Sequence, residues 1–202
     1  MTTIESSDAL RALYARPGER AVAKAIPALD RHCRRFIALS PFVVVATGDA
    51  GNDLDASPRG GDPGFVRVTD DGRLLIPDAP GNNRLDSLEN IVRTGAIGLL
   101  FMIPGVDETL RVNGRAQLST APVDVAACTD GRRTPKVVIR VTVTTAFLHC
   151  AKAFLRSRLW DPARHVDRGS LPTLGTMIAE QTGLHVPPET REEMERRYAP
   201  DL

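Results

Sequence analysis

The sequence predicts a mainly β fold of the α+β kind, an antiparallel barrel or sandwich of five or six strands with helices at its periphery. Three observations predict it. From Phe42 to His149 the chain reads almost entirely as strands, which follow one another through hairpin signals with a single inserted helix. Helical patterns collect at the two ends of the chain. No glycine fingerprint follows a strand and opens a helix, which argues against a doubly wound nucleotide-binding sheet.

Each element has its own signal. "SSDALRALYA" offers serines and an aspartate as N-caps ahead of Leu10 and Leu13. "PALDRHCRRFIAL" places Leu29, Cys33, Phe36, Ile37 and Leu39 near one helical face, with Arg31, Arg34 and Arg35 largely outside it, and Pro41 ends the helix. "PFVVVATG" is a continuous apolar run, the signature of a strand covered on both faces. "DASPRGGDPGF" spends two prolines and three glycines around Arg59 and reads as a loop. "GFVRVTDDGRLLIPD" carries Asp71-Gly72, a two-residue hairpin signal. "LDSLENIVRTG" is a short helix with Leu85, Leu88, Ile91 and Val92 inward. "AIGLLFMIP", the alternating "ETLRVNGRAQLS" and the β-branched "KVVIRVTVTTAFLH" complete the strands. "CAKAFLRS", "TLGTMIAEQTG" and "PETREEMERRY" return to helix. The expected organisation is one domain over 1–202, with N-terminal helices in 1–40, the β core in 41–150 and C-terminal helices in 151–202.

Charge narrows the partners. Lys and Arg number 26 against 25 Asp and Glu, a net charge of +1, so no general nucleic-acid or anionic-membrane surface is expected. No apolar run is long enough to span a bilayer, and the polar N-terminus lacks a signal core, which predicts a cytoplasmic protein. The three cysteines, Cys33, Cys128 and Cys150, form no disulfide framework. His32-Cys33 and His149-Cys150 lack metal-ligand spacing, and no metal is expected.

Four stretches suit anionic ligands, and each also has a plain structural reading. In "SPRGG" the glycines bare the backbone beside Arg59, or they make a flexible connector. In "GNNRLDSL" Asn82 or Asn83 could cap the helix. Arg84 is out of place at a positive helix end unless an anion binds there with Asn83 and Ser87; otherwise it turns away to Asp78 or Asp86. In "ETLRVNGRA" Thr109, Arg111, Asn113 and Arg115 share one face, donor-rich or merely solvated. In "HCAKAFLRSRLWDP" Lys152 and Arg156 share a helix face ahead of Trp160, which flanks a planar anion or packs into the core. No nucleophile, base or carboxylate pair is marked out, so a catalytic side chain stays unassigned and a bound cofactor would carry any chemistry.

Taken in order, "DASPRG", "IPDAPGNNRLDSLENI", "ETLRVNGRA" and "HCAKAFLRSRLWDP" resemble the pyridoxamine 5′-phosphate oxidase-related, FMN-binding split-barrel superfamily over roughly residues 30 to 175. The resemblance implies a six-stranded split β-barrel that forms a homodimer and holds FMN at the dimer interface. It implies a flavoprotein that exchanges a hydride with a small-molecule substrate. By the same resemblance Asn83, Arg84 and Ser87 hold the phosphate, and Ser57, Pro58, Arg59 and Gly60 line the ring. Thr109 and Arg111 reach across the interface, and Lys152 is a further anion contact. Two alternatives stay open: the deazaflavin F420 as cofactor of a reductase, and a non-catalytic flavin-storage protein. The oxidase's arginine–lysine pair is replaced here by Asn83-Arg84, so pyridoxamine phosphate is not carried over as substrate.

Overall fold

The computed structural model describes residues 3–131, 133–184, 187 and 189–201. Three short helices open the chain: α1 (Ser7–Ala12), α2 (Glu19–Ala23) and α3 (Arg31–Leu39). Asp30 caps α3 by accepting from the Cys33 N–H at 2.8 Å. Cys33 and Ile37 are buried, whereas Leu39 is exposed because it falls off that stripe.

Seven strands then build one antiparallel sheet that curls into a half-barrel. They are β1 (Phe42–Gly48), β2 (Leu54–Gly60), β3 (Arg67–Val68), β4 (Leu74–Pro77), β5 (Ala96–Met102), β6 (Thr109–Ser119) and β7 (Val138–His149). Their order is β2-β1-β5-β6-β7-β4-β3. Helix α4 (Asp86–Thr94) packs against β1, and α5 (Pro122–Cys128) lies between β6 and β7 in sequence. The count exceeds the expected six by one, and the shortest strand, β3, has only two residues.

One face of the sheet forms the core, in which Ile37, Val43, Val45, Leu99, Phe101, Leu110, Val112, Ile139 and Val141 meet. Leu75, Cys128 and Val138 make a smaller cluster beneath α5. Burial pushes the Cys33 and Cys128 thiols up to about 11, so neither is a ready nucleophile at neutral pH.

Several expectations are corrected. "FVVVATG" is covered on one face only: Val43, Val45 and Thr47 are buried, while Ala46 on the other face is exposed. "DASPRG" is not a loop, and the connector is confined to residues 61–66. Residues 54–60 form edge strand β2, which pairs with β1 from Phe42↔Gly60 to Gly48↔Leu54. Proline tolerates such a place because the edge of a sheet does not need its missing N–H. The hairpin turns through residues 70–72, with Thr69 N–H donating to Arg73 C=O and Gly72 at φ 83, one residue longer than a two-residue turn. Helix α5 is additional to the elements expected from sequence.

After β7 come α6 (Lys152–Ser157), α7 (Leu174–Thr182) and α8 (Arg191–Tyr198), none of which contributes a buried residue. The expected last helix began at Pro188, a position outside the described residues. Among the described residues no helix is long and apolar enough to cross a membrane.

Candidate functional site

Helix α4 and strand β2 build the site together. Three polar ties hold α4 down along one stripe: Ser87 Oγ donates to Asp55 Oδ2, Asn90 Nδ2 donates to Thr47 Oγ1 at 3.2 Å, and Thr94 Oγ1 donates to Gly48 C=O at 2.8 Å. This stripe, with Leu88 and Ile91, faces inward. Leu85 and Val92 therefore lie exposed, contrary to the expectation that both point in.

The start of α4 is unusual. Its N-cap is Leu85, in the left-handed region at φ 62, and no side chain caps it. Neither Asn82 nor Asn83 takes that role; Asn82 Oδ1 accepts from the Arg84 N–H at 3.1 Å and Asn83 itself sits at φ 60. The first N–H groups of α4 thus have no side-chain acceptor, and the helix dipole favours an anion there. Arg84 points to solvent and pairs with Asp86, Nε to Oδ2 2.8 Å, an ion pair exposed enough to contribute little by itself.

On β2, alternation splits the predicted residues. Asp55, Ser57 and Arg59 lie on the α4 side, half-buried, whereas Ala56, Pro58 and Gly60 are exposed on the other face. Ser57 Oγ donates to both Asp55 oxygens, at 3.0 and 3.1 Å. At the far end of the row Arg59 has a weak counter-ion: Asp78, 4.0 Å away. Burial pushes the Asp78 carboxyl up more strongly than the Arg59 charge pulls it down. The buried Arg59 Nε has no acceptor. The segment 78–87 therefore runs alongside β2, tied at Arg59 by Asp78 and at Asp55 by Ser87. Asp55 and Arg59 are four residues apart, about 13 Å along an extended strand.

The remaining predicted residues lie elsewhere in the chain. Thr109 is 5% exposed and pairs with His149. Arg111 stands on the outer face in one row with Leu100, Val44 and Pro58. Its guanidinium lies 5.8 Å from the Phe147 ring centre, and Lys24 Nζ lies 5.2 Å from the same centre. Burial, then Lys24 and Arg111, hold His149 below its ordinary value. Lys152 is exposed at the first turn of α6. Trp160 Nε1 donates to Val106 C=O at 3.0 Å, and the ring lies 5.5 Å from Phe154. Cys150 is exposed, and among the described residues no three His, Cys, Asp or Glu side chains are grouped to hold a metal.

These placements form two groups in one chain: Ser57, Arg59, Arg84 and Ser87 at the β2–α4 junction, and Thr109, Arg111 and Lys152 around β6, β7 and α6. Asp55 and Asp78 are the additional residues. The D-x-S-x-R spacing carries a period-two signal for Asp55, masked by the neighbouring proline and glycines.

The sequence model described as pyridoxamine 5′-phosphate oxidase matches residues 29–150. The chain belongs to the pyridoxamine 5′-phosphate oxidase family. Among solved structures, a point variant of HupZ from Group A Streptococcus is 22% identical, covering 59% of this chain and 98% of that one with a TM-score of 0.50. A putative pyridoxamine 5′-phosphate oxidase from Lactobacillus delbrueckii is 21% identical over 59% of this chain and 93% of that one, TM-score 0.46. An FMN-binding protein from Syntrophomonas wolfei is 11% identical over 58% and 83%, TM-score 0.45. No curated protein matches the sequence. The family match and the likeness to HupZ agree on the split-barrel fold.

The donor set suits a flavin-type cofactor that carries a phosphate. A guanidinium that has only a distant carboxylate and the Pro58 C=O, with its Nε left without an acceptor, and an uncapped helix start beside an arginine suit a ligand with carbonyl and phosphate oxygens.

Proposed function

We propose that the protein binds FMN and works, as a homodimer, as a flavin-dependent oxidoreductase on a small organic substrate. The observation that carries this reading is Arg59, a half-buried cation whose nearest carboxylate lies 4.0 Å away and whose Nε has no acceptor. An electron-rich carbonyl or phosphate oxygen beside Arg59 supplies what Asp78 does not. Ser57 lies on the same side of β2, and Pro58 and Gly60 present the outer edge of the sheet, where backbone groups are open to a planar ring. Asn83 and Arg84 stand at the α4 start to take the phosphate, with Ser87 beneath them. Arg111 and Lys152, both exposed, come from the second copy, and Thr109, 5% exposed, supports Arg111 from within its own strand. FMN supplies hydride exchange with the substrate; the protein's part is to bind, orient and shield the ring.

The test begins with the visible spectrum of the purified protein. A two-band flavin spectrum that survives gel filtration is expected, and Arg84→Ala should weaken FMN at least tenfold more than riboflavin, which lacks the phosphate. A colourless protein that ignores added FMN overturns the reading. NADPH oxidation or rapid reoxidation by oxygen distinguishes an oxidoreductase from a storage protein, which shows neither.

A further inference from the structure

The Asp55 carboxylate is an anion set inside the β2–α4 junction, and its bonding restricts what can lie next to it. Ser57 Oγ donates to Asp55 at 3.0 and 3.1 Å, and Ser87 Oγ donates to the same carboxylate. Ser87 is 2% exposed, so its hydroxyl is committed to Asp55 and closed to a ligand from solvent. Each of the two hydroxyls has spent its only proton; what Ser57 still offers outward is a lone pair. Asp55 itself is half-buried, and a carboxylate has about four acceptor positions, more than two serines fill. This end of the β2–α4 junction is therefore an acceptor surface with a negative charge. It suits donors such as the O–H groups of a polyol, and it repels phosphate, which brings acceptors and like charge. Of the cations, Arg59 is four residues along β2, and Arg84, which still feels the Asp55 charge, is turned to solvent and paired with Asp86.

We propose that Asp55 is a specificity-determining residue that reads the polyol of the ligand and excludes its phosphate from the β2–α4 junction, driving the phosphate out toward Asn83 and Arg84. The assignment rests on the flavin reading above. It gives Ser87 different work from holding the phosphate and Ser57 different work from lining the ring: Ser87 fastens Asp55 to α4, and Ser57 aims it.

Three probes separate the possibilities: FMN, riboflavin, which keeps the polyol without the phosphate, and lumiflavin, which keeps only the ring. In Asp55→Asn the charge goes and the shape stays. Riboflavin and FMN should weaken equally, by about tenfold for a hydrogen bond to a charged acceptor, while lumiflavin is unchanged. Ser57→Ala, which leaves the Asp55–Ser87 tie in place, should give a smaller loss with the same pattern. Tighter FMN with unaltered riboflavin would put Asp55 against the phosphate and overturn the assignment. Equal loss of all three probes would reduce Asp55 to a structural strut and overturn it too. A wild-type protein that binds none of the three fails the flavin reading itself, and this inference with it; the wild-type control separates that failure from the other two.

Discussion

Asp124, on α5, is a carboxylate only 9% exposed that accepts from Ser119 Oγ at 2.5 Å and from Arg140, which is 28% exposed. The Ser119 hydrogen bond, chiefly, and then the Arg140 guanidinium outweigh burial and hold its carboxyl below the ordinary 3.8. Because the folded value lies below the unfolded one, the stabilisation is complete above pH 3.8 and fades as the pH falls below it toward the folded value. Asp124→Asn should therefore destabilise the protein by about 2 kcal/mol at neutral pH, since it leaves Arg140 without its acid partner. The gap between variant and wild type should narrow at pH 3. Urea midpoints at the two pH values check this; a gap that does not change with pH would show that the charge of Asp124 is not what stabilises α5.

At the scale of the element, β6 and β7 meet across a bulge between Asn113 and Gly114, and the bulge works only with glycine. A Cβ at Gly114 would clash with the Thr142 carbonyl oxygen and lie 2.8 Å from Val141 Cγ1. The first of these is backbone and moves only with the strand. Gly114→Ala should cost about 2 kcal/mol by thermal or urea unfolding, and a loss under about 0.5 kcal/mol would mean the ladder relaxes freely there. The same elements show what a sequence can carry. Strands β6 and β7 are legible because alternation and β-branched residues act locally, and Asp71-Gly72 announces its turn. Strand β2 is not, because Pro58, Gly60 and Gly61 argue against a strand and only pairing with β1 overrides them. The inward face of α4 departs from its apolar pattern for a related reason. Its stripe is set by Ser87, Asn90 and Thr94 bonding to β1 and β2, and an apolar pattern cannot report that. The cations of the candidate site, Arg59 and Arg84, stand out in the sequence. The role of Asp55 does not, since its partner Ser87 is 32 residues away.

For the whole molecule, the half-barrel leaves one sheet face incomplete. The rows Pro58–Val44–Leu100–Arg111 and Ala56–Ala46–Gly98–Asn113 run across four strands on the side away from the core. Ala46 and Ala56 are exposed, and Leu54 at the same edge is 85% exposed. A face of small and apolar residues rimmed by Arg111 and Arg115 suits a flat, close contact with a second copy. In the dimer proposed above, that contact sets one copy's Arg111 beside the cofactor of the other. Light scattering after gel filtration should give about twice the chain mass of 21.9 kDa. Ala46→Arg is the discriminating variant. Its side chain is exposed in the single chain, so an arginine there costs little on folding, but in a close interface it has no room. The expected result is a folded monomer by circular dichroism that has lost at least tenfold in FMN affinity. A variant that stays dimeric shows that the dimer uses another face. A monomer that keeps its FMN affinity shows that one chain holds the cofactor alone, and Thr109, Arg111 and Lys152 then have no part in binding it.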